Sequence, residues 1–582
     1  MYILGIACYY HDASACLIKD GVVVAAAEEE RFTRKKHDYS FPINAINYCL
    51  QHAEITIENI DYIGFYEKPL IKFERILYQH LEMFPKSLWT FYKSIPSWIN
   101  EKLRVQETIR KKLKYKGDIL FIEHHLAHAA SSFLISPFKD AAIYTVDGVG
   151  EWETTTCGYG HENQITLTKH IDFPHSLGLL YSTATAHLGF SVNNSEYKVM
   201  GMASYGKPKY YDGFKRIIDI KDDGSFHLDM SYFVYHYKMA MPGKKYIELF
   251  GPVRKAESEV TQYHKDIAAS LQKITEEIIF KTLNYLHKET KMDNLCIAGG
   301  VALNSVANGK ILKNTPFKNI YIVPPAGDGG ASVGVAAYVY FNLLNKKRSE
   351  KSVLRTAYLG PSYNMQEIKR FLDTNKIKYI TFKNDKELVE KTAELIYRDH
   401  VIGWFQGRME FGPRALGSRS ILSNACNPKM KDILNLKVKH REKFRPFAPI
   451  VCIEDAPTYF DCDKPIPLPT DFMLMVYPIK KQYQKKIPAV THVDGSGRLQ
   501  TIRREQNPRY YDVIKAFGKK TGIPILINTS FNIRGEPIVC NPYDAYKCMM
   551  GTGIDYLVMD RFLIKRSDNP QDIWDSEKDT KD

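Results

Sequence analysis

The sequence predicts an α/β protein of two units, and three observations carry that prediction. Three apolar runs, Ala141–Val146, Leu295–Ala298 and Ile320–Val323, each stop at a glycine-bearing loop, at 147–148, 299–300 and 324–330. Strands that end in glycine and feed helices form a nucleotide-binding sheet with its site at the strands' carboxyl ends. The opening residues read as a meander of short apolar strands, Ile3–Cys8, Ala13–Ile18 and Val22–Ala27, with Asp20-Gly21 as the hairpin signal. A second set of strand-like runs, Val401–Phe405, Ala448–Cys452 and Ile523–Ile527, follows the polar stretch 345–352, which reads as a linker.

Composition narrows the function. The chain has 582 residues, 44% hydrophobic and 25% charged, which excludes a largely disordered protein. Lys plus Arg number 80 against 66 Asp plus Glu, and this +14 balance favours anionic partners. Ten cysteines contain no C-x-x-C, so a zinc ribbon or thioredoxin-type site has no support, and scattered thiols fit a reducing compartment. No basic leader precedes the first strand, and the longest apolar run, 327–344, is broken by Asp328 and glycines. The expectation is a cytoplasmic protein with no membrane partner.

Taken along the chain, the first polar loop, Tyr9-Tyr10-His11-Asp12, presents a histidine and an aspartate at a strand end. Residues 68–117 hold 12 Lys/Arg against 4 Asp/Glu, interleaved with Phe73, Phe84, Trp89, Phe91, Tyr92 and Trp98. Such a stretch reads first as an amphipathic helical insertion, aromatics toward the core and bases toward water; a nucleic-acid grip is the rival reading. Next, His124 and His128 are at i and i+4, so a helix places both on one face, able to chelate one cation. His125 with His128 is a rival pair, and hydrogen-bonded core histidines a competing account. Leu126 and Ala127 stand where a zincin would carry its glutamate, so metalloprotease chemistry is disfavoured. Asp147 and Asp328, both at strand ends, could complete a mixed N/O set suited to Fe(II), Mn(II) or Zn(II).

The loops Gly299-Gly300 and Gly327-Asp328-Gly329-Gly330 allow backbone N–H groups to approach phosphates, but no Walker motif occurs. Further on, Arg408, Arg414 and Arg419 fall within a dozen residues. Lys437, Lys439, Arg441, Lys443 and Arg445 alternate, so an extended segment would point them to one side. Arg498 and Asn528-Thr529-Ser530-Phe531-Asn532 add a fork donor and small polar groups. Charge-assisted hydrogen bonds to phosphate contribute about 1.5–3 kcal/mol each, so a few would hold a polyphosphate.

Together these motifs resemble the O-carbamoyltransferase family of nodulation and tobramycin-type enzymes. The match runs in order through His11-Asp12-Ala13-Ser14-Ala15, Glu28-Glu29-Glu30-Arg31-Phe32, His124-His125 with His128-Ala129, Thr145-Val146-Asp147-Gly148 and Lys198-Val199-Met200-Gly201. It continues through Gly299-Gly300-Val301-Ala302-Leu303-Asn304, Gly327-Asp328-Gly329, Arg414-Ala415-Leu416-Gly417, Phe444-Arg445-Pro446-Phe447-Ala448-Pro449, Thr491-His492-Val493-Asp494, Arg498 and Asn528 to Asn532.

The resemblance implies an actin/hexokinase-like ATPase fold of two subdomains over 1–350, interrupted by the 68–117 insertion. It implies a YrdC-like domain over 351–566, its K-x-R and S-x-N signatures falling on Lys439/Arg441 and Ser530/Asn532, and leaves 567–582 as a polar tail. The implied reaction makes carbamoyl-adenylate from carbamoyl phosphate and ATP in the C-terminal domain. The carbamoyl group then passes to a hydroxyl of a small metabolite, a natural product or sugar derivative, in the N-terminal one. Carried over residue by residue, His11 becomes the catalytic base and His124, His128, Asp147 and Asp328 the metal ligands, with Fe2+ ahead of Mn2+ or Zn2+. Lys198, Gly299, Gly300, Asn304, Gly327 and Gly329 become contacts to the adenylate. Arg408, Arg414, Lys439, Arg441, Arg445, Arg498, Asn528, Ser530 and Asn532 become contacts to Mg2+-ATP and carbamoyl phosphate. A homodimer is the symmetric default. Transfer of threonylcarbamoyl to tRNA, with the basic insertion gripping RNA, and a non-catalytic nucleotide- or RNA-binding scaffold are the alternatives.

Overall fold

The computed structural model describes residues 1–441 and 445–570, which form two compact units. The first comprises Met1–Glu29 and Tyr39–Leu354; the second comprises Glu30–Asp38 and the chain from Arg355 onward. The linker read at 345–352 thus precedes the change of unit by two residues, while the return of 30–38 to the second unit has no sequence signal. The tail anticipated from 567 begins with a short helical turn, Arg566–Asp568; residues 571–582 lie outside the described residues.

In the first unit the meander is β1 (Tyr2–Ala7), β2 (Ser14–Lys19) and β3 (Val22–Glu28). Asp20 and Gly21 take φ of 49° and 80°, the two left-handed positions that a two-residue hairpin turn of matching twist demands. With β4 (Tyr62–Phe65) and β5 (Asp118–Phe121) the sheet order is β3-β2-β1-β4-β5, β1, β4 and β5 being parallel. Then come β6 (Asp140–Val146), β7 (Glu153–His161), β8 (Gln164–Asp172), a small hairpin of β9 (Ile218–Ile220) and β10 (Phe226–Leu228), β11 (Asn294–Ala298) and β12 (Asn319–Ile322). The second sheet is β8-β7-β6-β11-β12, with β6, β11 and β12 parallel. An antiparallel meander followed by two parallel strands therefore occurs twice, which is the duplicated plan of the actin/hexokinase fold.

Helix His124–Phe133 packs against helix Asp328–Ala337 at very short range. A Cβ on Gly334 would lie 1.9 Å from the Ala127 carbonyl oxygen, and one on Gly5 in β1 1.9 Å from that of Ser332. The small residues of Asp328–Ala337 thus bring its first turn up to the histidine helix and the first sheet. The same apolar run that the sequence shows at 327–344 is this helix and its continuation, and no helix among the described residues is long and apolar enough to cross a membrane.

The insertion corrects its sequence reading. It forms helices Pro69–Glu82, Leu88–Asn100 and Val105–Leu113, and Trp98 turns inward as anticipated, but Trp89 and Tyr92 are 65% and 73% exposed. Lys72 and Arg75 are buried instead. The reason is local: the inner face is closed by an ion pair, Lys72 Nζ to Glu67 at 2.5 Å, and by Arg75 against the Phe173 ring, so apolar packing does not set the helix orientation.

The second unit carries β13 (Ile380–Thr381), β14 (Ile402–Phe405), β15 (Arg419–Asn424), β16 (Ala448–Cys452), β17 (Met475–Pro478), β18 (Ser496–Ile502), β19 (Ile525–Ser530), β20 (Tyr556–Met559) and β21 (Phe562–Lys565). They make one mixed sheet, β13-β21-β20-β14-β15-β19-β16-β18-β17, an α/β arrangement as expected. Trp404, Tyr510 and Phe517 fill its core, Trp404 Nε1 donating to the Gly417 carbonyl at 2.9 Å. The extended basic ladder is not found: Leu434–Val438 is a helical turn, so Lys437 and Lys439 do not alternate along a strand, and Lys443 lies outside the described residues. The apolar Leu434 and Val438 are buried four residues apart, a helical spacing that the alternating charges mask.

Candidate functional site

Four side chains of the first unit converge at the carboxyl ends of β6, β11 and β12. His124 opens its helix because the preceding loop ends at Glu123, and its backbone N–H is held by both carboxylate oxygens of Glu151 at 3.2 and 3.0 Å. One turn later His128 brings its Nε2 to 3.1 Å from Nε2 of His124. Asp147 Oδ2 lies 3.1 Å from His124 Nε2 and 3.2 Å from His128 Nε2; Asp328 Oδ1 lies 3.6 and 3.4 Å from the same atoms. All four ligand atoms fall within 4.8 Å of one another. The i, i+4 pair is thus the convergent one. His125 turns away, Nδ1 at 2.6 Å from Thr145 Oγ1, and burial followed by the charges of His124 and His128 holds it well below the usual imidazole range.

The donor set fits a divalent cation. Two fully buried imidazole nitrogens 3.1 Å apart cannot both direct lone pairs at each other, so either a cation or an N–H hydrogen of one ring lies between them. Burial opposes the charged form of His128, but hydrogen bonds and charge from Asp147 and Asp328 push its pKa up to about 9. Burial likewise raises Asp147, and the two histidines outweigh this to hold it well below the carboxylate range. Its other oxygen is fixed too, Oδ1 accepting the Gly300 N–H at 3.0 Å. Gly299, at φ 97°, leaves no room for a side chain: a Cβ would lie 2.2 Å from the Val146 carbonyl oxygen. The two glycines therefore bring the end of β11 against the end of β6, and Gly300 fixes the Asp147 carboxylate.

His11 is held at both ring nitrogens, Nε2 at 2.6 Å from the Asn193 carbonyl and Nδ1 at 2.8 Å from Asp12 Oδ2. Both partners only accept, so both nitrogens carry protons. Burial lowers its pKa, but Asp12, then Asp328 and Asn193, raise it to about 9. Tyr9 and Asp12 both have positive φ, 74° and 44°, so the loop is bent by non-glycine residues on each side of His11. Asn304 caps the turn Ser305–Asn308 and exchanges two amide hydrogen bonds with Gln272 at 3.0 and 3.1 Å, a structural engagement. Lys198 is buried with its Nζ 5.5 Å from the Phe190 ring centre. Gly327 caps helix Asp328–Ala337, and Gly329 directs its carbonyl to Ser14 Oγ at 2.8 Å.

The second unit gathers a different set. Lys439 Nζ donates to Ser530 (backbone oxygen and Oγ) and to the Asn532 carbonyl and Oδ1, the last at 2.8 Å. These are all neutral oxygens. Burial, then the nearby charges of Arg441 and Arg445, hold the amine well below its usual range. Arg441 Nε bonds Asn435 Oδ1 at 2.8 Å, and the Asn435 amide bonds the Arg445 carbonyl at 3.2 Å. Arg408 bonds the Leu359 and Gly360 carbonyls, and Asn528 the Ala415 carbonyl and Gln500, so both brace the fold. Arg414 and Arg498 are partly buried through their Nε atoms. Sequence reasoning missed Glu410, whose buried Oε1 accepts the N–H groups of Leu416, Ser418 and Arg419 at 2.7, 2.7 and 3.2 Å and shapes the arginine loop. Its place inside Gly407–Gly412 was the available signal. Glu151, a lone carboxylate in a loop, left none.

A sequence model of the carbamoyltransferase N-terminus matches residues 2–337, and one of the carbamoyltransferase C-terminus matches residues 393–566. An uncharacterized protein of Synechocystis sp. (sll1178) is 46% identical over 98% of this chain and 97% of its own. Nodulation protein NolNO of Sinorhizobium fredii is 36% identical over 97% of this chain and 80% of its own. Among solved structures, HypF of T. kodakarensis covers 61% of this chain and 50% of its own at 14% identity and a TM-score of 0.33, values that carry no inference.

Proposed function

Because the chain belongs to the carbamoyltransferase family, we propose that it is an ATP-dependent O-carbamoyltransferase working in two half-reactions, one in each unit. The observation that carries this is the pair of opposite sites: a four-donor N/O cluster in the first unit and a buried lysine among arginines in the second.

In the second unit, water cleaves carbamoyl phosphate to carbamate and phosphate. A carbamate oxygen then attacks the α-phosphorus of ATP, and pyrophosphate leaves. Lys439, Arg441 and Arg445, with Arg414 and Arg498, offset the polyphosphate charge there, while Ser530 and Asn532 keep the lysine aimed. Mg2+ accompanies ATP.

In the first unit, His124, His128, Asp147 and Asp328 would hold a divalent ion, Fe2+, Mn2+ or Zn2+, which supplies Lewis-acid polarisation and orientation. The acceptor hydroxyl attacks the carbamoyl carbon, the bond to the AMP oxygen breaks, and the hydroxyl proton goes to His11. That residue takes a proton only after releasing one of the two it now directs at Asp12 and Asn193. The acceptor is a small hydroxylated metabolite. The decisive measurement is product analysis with ATP, carbamoyl phosphate and a panel of hydroxylated metabolites: pyrophosphate should form only when ATP and carbamoyl phosphate are both present, and AMP when an acceptor is added to them. Pyrophosphate formation indifferent to carbamoyl phosphate, or its complete absence, would overturn the reading.

A further inference from the structure

Helix Pro69–Glu82 is inside out. Leu70 and Leu81 are 74% and 77% exposed, whereas Lys72 and Arg75 are 3% and 5% exposed. Half a turn of rotation would bury the leucines and hydrate the bases, so the buried bases need a cause. Lys72 has one in Glu67. Arg75 has none of that kind. Its Nη1 donates to the neutral Gln79 Oε1 at 3.2 Å, its guanidinium lies 4.7 Å from the Phe173 ring centre, and its buried Nε meets no acceptor. No carboxylate of the described residues pairs with it. Burial pulls its pKa down to about 10, outweighing the more distant charges of Tyr10, Glu151 and Glu67, none of which makes an ion pair with it.

Its neighbours indicate what the charge is for. Tyr10 precedes His11, its ring lies 4.6 Å from Lys72 Nζ, and the charges of Lys72, Asp328, Asp147 and Arg75 all act on its hydroxyl. Tyr66, adjacent to Glu67, packs its ring 5.5 Å from that of His124. Glu151 links the start of this helix, through the Lys68 N–H, to the start of the histidine helix. Tyr10 thus feels the basic face and the carboxylates of the four-donor cluster together, and Glu151 ties the two helix starts to each other.

We propose that Arg75, with Lys72 beside it, forms an oxyanion-binding subsite of the first unit, which receives a phosphate or carboxylate of a substrate whose reacting end lies at the cluster. This rests on the carbamoyl-transfer reading for what reacts there, though not for the binding itself. The oxyanion has two sources: the nucleotide leaving group, or an anionic substituent of the acceptor. A positioned guanidinium matches either through paired N–H donors.

The test is calorimetric titration of the full-length protein and of Arg75→Gln with AMP, inorganic phosphate and acetate, with melting temperature and the second unit's carbamoyl-phosphate-dependent pyrophosphate formation measured on both. The glutamine variant should melt no lower than the parent and form pyrophosphate at the parental rate. It should bind at least one probe tenfold or more weakly. Weakened AMP binding assigns the subsite to the nucleotide; weakened phosphate or acetate binding with AMP unchanged assigns it to the acceptor. Unchanged binding of all three probes overturns the proposal, as does a marked fall in melting temperature, which would make Arg75 a structural brace. Absence of pyrophosphate formation in the parent protein would count against the two-step reading and leave the binding result standing.

Discussion

The two units each bury an electrostatically incomplete group of side chains, and the groups are incomplete in opposite senses. In the first unit two carboxylates and two imidazoles surround one point and could hold a cation there. In the second, Lys439 is enclosed by neutral oxygens with the charges of Arg441 and Arg445 acting on it, an excess of positive charge. Neither arrangement is the most stable use of a core, since an unpaired buried charge costs several kcal/mol. Arg419 is also fully buried, with its guanidinium on the carbonyls of Gln406, Gly407, Pro361 and Cys540, so neutral oxygens by themselves set nothing apart; the charges of Arg441 and Arg445 act on Lys439. The lesson is that burial alone does not mark a site, whereas burial beside like charge does.

The largest effects should come from the ligands themselves. His124→Ala with His128→Ala is expected to lower carbamoyl transfer by more than about a hundredfold, since loss of even an outer partner of a ligand costs about 10–100-fold. Metal content measured by elemental analysis should fall with it, while formation of carbamoyl-adenylate and pyrophosphate from carbamoyl phosphate and ATP stays intact. If both half-reactions are lost in a folded variant, the division between units fails.

Lys439→Met is the mirror experiment. It should reduce adenylate formation by about 10²–10³-fold, the scale for removing one positioned electrostatic donor. Transfer from supplied carbamoyl-adenylate should be unaffected, and thermal stability should hold or rise because a buried charge is removed. A sharp drop in melting temperature would reassign the lysine to the fold.

A finer probe is Gly300→Ala, whose Cβ would lie 2.8 Å from Asp147 Oδ1. The carboxylate must shift, and metal affinity should weaken by about tenfold or somewhat more. Parental affinity in a titration with Mn2+ would show that the N–H to carboxylate contact does not orient the ligand.

The smallest effect is graded by pH. A base must be unprotonated to act, and His11 is raised to about 9 chiefly by Asp12 against the opposing pull of burial. Transfer should therefore climb about tenfold per pH unit below about 9 and level off above it. His11→Gln should flatten that limb; a limb that persists unchanged would remove His11 from the base role.

How much of this the sequence carried varies with the kind of signal. The strands were legible because short apolar runs stopped by Asp-Gly, Gly-Gly or Pro-Pro have few other ways to fold, and β1 to β3, β6, β11 and β12 fall within a residue or two of expectation. The His124/His128 pair was legible because i, i+4 spacing fixes a shared face whatever the surroundings. The basic ladder at 437–445 was misread because alternation in charge was taken for alternation in backbone, while the buried Leu434 and Val438 kept a helical period. Asn304 is a ligand contact by motif, and its bonds to Gln272, 32 residues away, could not be read from the sequence.

What the sequence by itself determined was the set of elements, the loops in which they end and the helix face the two histidines share, because these depend on neighbours a few residues apart. The tertiary structure alone decided that Asp147 and Asp328 reach the same point from strands far apart in the chain, that Glu30–Asp38 leaves its own unit, and that the insertion's first helix turns its bases inward. Periodicity establishes that a helix has two unlike faces. Which of them is covered depends on what packs against it, here Glu67 and Phe173, and no local pattern contains that information.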